Sequence, residues 1–123
     1  IPAERIADTG IPLVADMSSH ILSRPVPVEK FSLIYAGAQK NLGPSGLAVV
    51  IIRKDLAERA PENLPRIFHY KTYIENDSMY NTPPCFGIYV LSLVTRWLLE
   101  QGGVAAMEKK NDAKAAKQVE ASA

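Results

Sequence analysis

The chain has one cysteine, one tryptophan and two histidines among 123 residues, and its charge is nearly balanced at +1. Each shortage closes a class of function. A lone thiol, Cys85, makes no internal disulfide, so the fold has to be held by packing. His20 and His69 have no acid and nucleophile near them in a recognisable arrangement and read as surface or packing residues. The 14 basic residues are scattered and matched by 13 acidic ones, which argues against a nucleic-acid footprint. No apolar run approaches the length needed to cross a bilayer, so no membrane role is expected, and no metal site is expected either. No charged-then-apolar leader opens the chain. With the single thiol, this sets the expectation of a cytoplasmic protein.

What the chain does have is a globular proportion of hydrophobic residues, 47%, arranged in short runs. Residues 11 to 16 read as a buried strand ending in Asp16, and 17 to 30 as an irregular crossover broken by Pro25 and Pro27. A second strand, rich in aromatic and branched residues from Phe31 to Tyr35, ends near Gly37, and a third spans Leu47 to Ile52. The link from Gly37 to Gly46 is shorter than a parallel crossover requires, so the third strand returns antiparallel. Three strands alone leave sheet edges unpaired, and the segment by itself is expected to be marginal or aggregation-prone.

Beyond the sheet, Lys54 to Ala60 suits a short helix, and Pro61 to Pro83 a long irregular stretch with weak strand character around Phe68 to Ile74. Thr82-Pro83-Pro84 reads as a helix start with threonine as its cap, and the helix runs to about Gln101, where Gly102 and Gly103 end it. Its apolar residues surround most of its circumference, so burial on several sides is expected. Cys85, at its start, is expected to lie in the core. A second helix over residues 104 to 119 carries only a thin apolar stripe and reads as solvated.

One lysine stands between the two apolar runs, in the loop Ala36-Gly-Ala-Gln-Lys-Asn-Leu-Gly-Pro-Ser-Gly46. Side chains at strand ends in α/β sheets project into the crevice where ligands bind, which places the amine of Lys40 for chemistry. Lys40 is neither preceded by glycine nor followed by serine or threonine, so the loop is a poor nucleotide-phosphate loop. Asp16, the other polar residue at a strand end, is read on local sequence as a helix or turn cap, the common role of aspartate ahead of serine. Asn81 and Thr82, locally, are helix-capping residues.

The pattern Lys40-x-x-Gly43-Pro44-x-Gly46, together with Val14-Ala-Asp-Met-Ser-Ser19, Ile34-Tyr-Ala-Gly-Ala-Gln-Lys-Asn41 and Tyr80-Asn-Thr-Pro-Pro84, resembles consecutive motifs of the phosphoserine aminotransferases. These are class-V, fold-type I enzymes of pyridoxal phosphate. The resemblance runs from about Val14 to Lys110, while complete members are about three times this length. The fold it implies is α/β, part of the large domain of that family: a mostly parallel sheet with one antiparallel strand and flanking helices. Residues 1–101 would form the central part of the cofactor-binding large domain, and 102–123 a helix leading toward the small domain.

The resemblance also implies a cofactor, pyridoxal 5'-phosphate, bound covalently through Lys40, which then moves protons as a general base. It makes Asp16 the partner of the pyridine nitrogen, and Gln39 a ligand of the cofactor phosphate. Asn81 and Thr82 would reach the phosphate of a partner subunit, which makes a homodimer part of the site. The substrates implied are glutamate and 3-phosphohydroxypyruvate, giving 2-oxoglutarate and phosphoserine in serine biosynthesis. Two other readings stand beside this one: a structural or interaction segment inert by itself, and another transaminase or a desulfurase of the same fold. Arg24, Arg53 and Arg66 are candidates for substrate contacts that no motif assigns.

Overall fold

The computed structural model describes residues 10–121. Three strands form one sheet in the order β1-β2-β3: β1 is Val14–Asp16, β2 Leu33–Gly37 and β3 Ala48–Ile52. β1 and β2 are parallel, with Val14 opposite Leu33 and Asp16 opposite Tyr35. β2 and β3 are antiparallel, from Leu33 opposite Ile52 to Gly37 opposite Ala48. The reversal follows from the short 37–46 link, as expected. Backbone bonds carry the ladder past the strand ends, Met17 N donating to Tyr35 O at 2.8 Å and Ala38 N to Leu47 O at 2.9 Å.

The pleat sends alternate side chains to opposite faces. Ala15, Ile34, Ala36 and Val49 look toward the covered face, which holds two small clusters. Met17, Phe31 and Ile34 form one, with Leu13, Ala15, Ile21 and Val26 against it. Ala36, Ala38 and Leu42 form the other, packed by Ile21, Leu22, Leu47, Val49 and Leu91. Ile21, in the crossover between β1 and β2, joins the two. On the other face Val14, Tyr35 and Val50 are exposed, while Leu33 is buried. A shallow apolar hollow of about 370 Å³ lies between Val28, Phe31, Ile34 and Ile52, at the opposite end of β2 from the Lys40 turn.

The helices are α1 (Lys54–Ala57), α2 (Tyr70–Glu75), α3 (Cys85–Glu100) and α4 (Gly103–Ala121). The expected strand character around Phe68–Ile74 is not realised: Arg66–Phe68 is a 3-10 turn leading into α2. Side chains close this unit on itself, Thr72 Oγ1 donating to Arg66 O at 2.9 Å and Tyr73 Oη to Ile67 O at 3.1 Å. Such local bonds satisfy backbone that a strand would have to offer to a neighbour.

α3 starts later than expected, with Pro84 as its N-cap and no side-chain cap bond. A residue preceding proline is pushed away from helical backbone, so Thr82 and Pro83 stay outside the helix. The expected cap at Thr82 is therefore absent. The end was legible: Gly102 and Gly103 take left-handed backbone, φ 94° and 73°, and turn the chain into α4. Burial of α3 on several sides is not found. Only Gly87 and Leu98 are buried, while Phe86 is 75% exposed and Leu99 73%. Cys85 is exposed, not in the core. α4 is tied to the crossover by Arg24, which pairs with Glu108 at 3.6 Å and Asp112 at 3.3 Å, and by Asn111 Nδ2 donating to Ser23 O at 3.0 Å. No described helix is long and apolar enough to cross a membrane.

Candidate active site

β1 and β2 run side by side in the same direction, so their C-terminal ends open at one edge of the sheet. Asp16 closes β1. Its Oδ1 accepts a hydrogen bond from the Ser18 hydroxyl at 2.6 Å and another from Ser18 N at 2.9 Å. The cap-like reading of Asp16 is thus realised as a turn onto Ser18. Ser18 Oγ in turn accepts the amide proton of Gly37, at the end of β2, at 3.0 Å. The Ser18 hydroxyl bond, then the Ser18 amide, hold the Asp16 carboxyl below the usual carboxylate range, with smaller help from the Tyr35 hydroxyl and the charge of Lys40. Asp16 and the turn carrying Lys40 thus stand at the same edge of the sheet.

Past Gly37 the chain makes one tight turn. Leu42 N and Gly43 N both donate to the Ala38 carbonyl, at 3.1 and 2.8 Å. Ala38 and Leu42, four residues apart, are buried in the second cluster. The arc between them bows outward, which leaves Gln39, Lys40 and Asn41 exposed. Asn41 Nδ2 pins the arc to the crossover by donating to Ile21 O at 3.0 Å and Ser19 O at 3.4 Å. The Gln39 carboxamide folds back over Gly37, where an added Cβ would lie 2.6 Å from Gln39 Oε1.

The structure therefore brings Asp16, Gln39 and Lys40 to one end of the sheet. Asn81 and Thr82 belong to the exposed approach to α3, and the Asn81 side chain bonds locally, to Thr82 O at 3.3 Å. Of the arginines considered, Arg24 is committed to α4, and Arg53 to Asp55 by bonds of 2.8 and 2.6 Å. Ser18 and Asn41 were not singled out as site residues from sequence. The spacing Asp16-x-Ser18 is the usual signature of such a turn and was available for the first. For Asn41 the contact is long-range and left no local trace.

The described site contains two of the groups that pyridoxal phosphate uses: a lysine amine, and at the same sheet edge a carboxylate held by two donors on one oxygen. The residues fit the group.

The aminotransferase class-V family profile matches residues 2–121. The chain is 63% identical to the phosphoserine aminotransferase of Geobacillus kaustophilus over 109 residues, covering 89% of this chain and 30% of that protein. It is 61% identical to the one from Lysinibacillus sphaericus, covering 88% of this chain and 30% of that protein. Among solved structures it superimposes on phosphoserine aminotransferase from Bacillus circulans subsp. alkalophilus with a TM-score of 0.89 at 50% identity, covering 93% of this chain and 32% of that one. A pyridoxal-phosphate-bound phosphoserine aminotransferase from Trichomonas vaginalis gives a TM-score of 0.87 at 47% identity, covering 94% of this chain and 32% of that one. The chain spans about 30% of the length of the curated relatives it matches. With a profile match over nearly all its residues and the mixed α/β sheet of those structures, the chain belongs to the aminotransferase class-V family.

Proposed function

We propose that this chain supplies the lysine and the ring-nitrogen partner of a pyridoxal-phosphate-dependent phosphoserine aminotransferase. The observation that supports the reading is that Asp16 ends β1 while Lys40 stands on the turn following the adjacent parallel strand β2, at the same edge of the sheet. Lys40 Nζ would hold the cofactor's aldehyde carbon, Asp16 its pyridine nitrogen and Gln39 its phosphate. When bound, the cofactor supplies an electron sink for the carbanion left when an amino acid loses its α-proton. Lys40 Nζ would take that proton as general base and return it as general acid. Asp16, whose pKa is lowered chiefly by Ser18, would favour a protonated ring nitrogen beside it.

Glutamate as amino donor and 3-phosphohydroxypyruvate as acceptor, with 2-oxoglutarate and phosphoserine as products, follow from the similarity to phosphoserine aminotransferases. Residues 1–101 would belong to the cofactor-binding large domain and 102–123 would lead toward the small domain. Asn81 and Thr82, exposed and away from any bond to Lys40, suit the phosphate of a second subunit's cofactor in a cytoplasmic homodimer. By the resemblance, most of the arginines that would fork to a carboxylate and a phosphate belong outside this segment.

The test is direct. The purified chain is mixed with pyridoxal phosphate, reduced with borohydride and mapped by peptide mass. The label is expected on Lys40. A label spread over the lysines at large would instead favour an inert structural segment.

A further inference from the structure

Ser18 joins the ends of two strands by hydrogen bonds whose polarity is fixed. A backbone amide only donates and a carboxylate only accepts, so the Gly37 amide must give its proton to Ser18 Oγ, and the hydroxyl proton must point at Asp16 Oδ1. Rotating the hydroxyl proton away would cost Asp16 Oδ1 that donor and leave it only the Ser18 amide. The 2.6 Å bond to the carboxylate is short, as charge-assisted bonds are, and a donor upstream polarises the hydroxyl further. Gly37 is also the last residue of β2 before the turn that carries Lys40. One side chain therefore references the carboxylate to the strand that ends at the amine.

We propose that Ser18 is a positioning residue of the transamination site, its hydroxyl fixing Asp16 in place and in charge so that the proton shared with the cofactor's ring nitrogen stays on nitrogen. The role rests on the cofactor reading above. Removing the hydroxyl leaves one donor on Oδ1, the Ser18 amide, and strips the part-buried Gly37 amide of its acceptor. The carboxylate then binds a proton more readily and is free to turn, and both changes draw the proton off the ring nitrogen.

The experiment uses a full-length relative whose matching stretch is exchanged for residues 10–121, loaded with cofactor labelled with 15N in the ring. In Ser18→Ala the ring-nitrogen resonance is expected to move from its protonated toward its neutral position, and kcat to fall roughly tenfold, the worth of one hydrogen bond to a charged group, with KM unchanged. Ser18→Thr, which keeps the hydroxyl, restores both. If Ser18→Ala does not fold, Ser18→Cys carries the same comparison, because a thiol fills the space and donates weakly. Unchanged resonance and kcat in the alanine or cysteine variant, or no recovery with threonine, overturns the role of Ser18 alone, provided the parent carries its reducible label on Lys40. A parent unlabelled at Lys40 overturns the cofactor reading and this role with it.

Discussion

Leu42 donates its amide proton to the carbonyl of Ala38 at 3.1 Å, and the side chains of both residues are buried beneath the turn on which Lys40 stands. The exposed amine thus has two apolar footings. Their packing, with the Asn41 bonds to the crossover, sets where it sits.

Leu42→Ala should therefore loosen the lysine without touching it. Leu42 is 3% exposed, and its truncation is expected to cost about 3 kcal/mol by leaving a cavity in its cluster with Ala36 and Ala38. In the full-length exchange protein this appears as a lower denaturant midpoint, together with slower borohydride-trapped labelling of Lys40. Full stability would show that the cluster does not hold the turn.

Asp16→Ala removes the proposed ring-nitrogen partner and leaves the lysine. The expected result is a fall in transamination kcat of about 100-fold, as for loss of one preorganised electrostatic partner, with cofactor still retained on dialysis. Equal activity in the variant would end the role assigned to Asp16.

Gly37 and Gln39 are expected to be coupled. A methyl group on Gly37 would meet Gln39 Oε1 at 2.6 Å, but the obstacle is the end of a flexible side chain. Gly37→Ala is expected to cost about 1 kcal/mol, and the cost should vanish when Gln39→Ala is already present. Additive losses in the double-mutant cycle would mean that the carboxamide does not rest on the glycine.

Asp55 gives a pH prediction away from the site. Hydrogen bonds from Arg53, then the charges of Arg53 and Arg59, lower its pKa from 3.8 to about 2. Because the folded value is the lower one, the stabilisation is fully present above 3.8, and it is lost as pH falls through about 2. The carboxyl carbon of Asp55 should titrate near the lower value by NMR, and in Arg53→Ala it should move back toward the ordinary one. A parent midpoint close to 3.8 would show that the pair does not persist in solution.

The sheet was readable because its information is local: branched and aromatic runs mark β2 and β3, and a link too short for a crossover dictates their reversal. The place of Asp16 at the end of β1 was readable for the same reason, since it is the polar residue where an apolar run stops, whereas the roles given to Asp16 and Lys40 came from the resemblance. The failures are equally physical. Phe68 to Ile74 has the composition of a strand, yet Thr72 and Tyr73 spend their hydroxyls on Arg66 and Ile67 and fold the stretch on itself. Thr82 has the chemistry of a cap, but two prolines in succession postpone the helix to Cys85. The circumference of α3 is apolar, and what packs against it depends on partners that periodicity cannot name. Asn41 reaches Ile21 across 20 positions, a contact that no window along the chain contains.

The hairpin between β2 and β3 is clamped at both feet, at Ala38 by Leu47 and at Asn41 by the crossover. With the backbone tied at those two points, the reach of the Lys40 amine is set mainly by rotation about the carbon–carbon bonds of its own aliphatic stem.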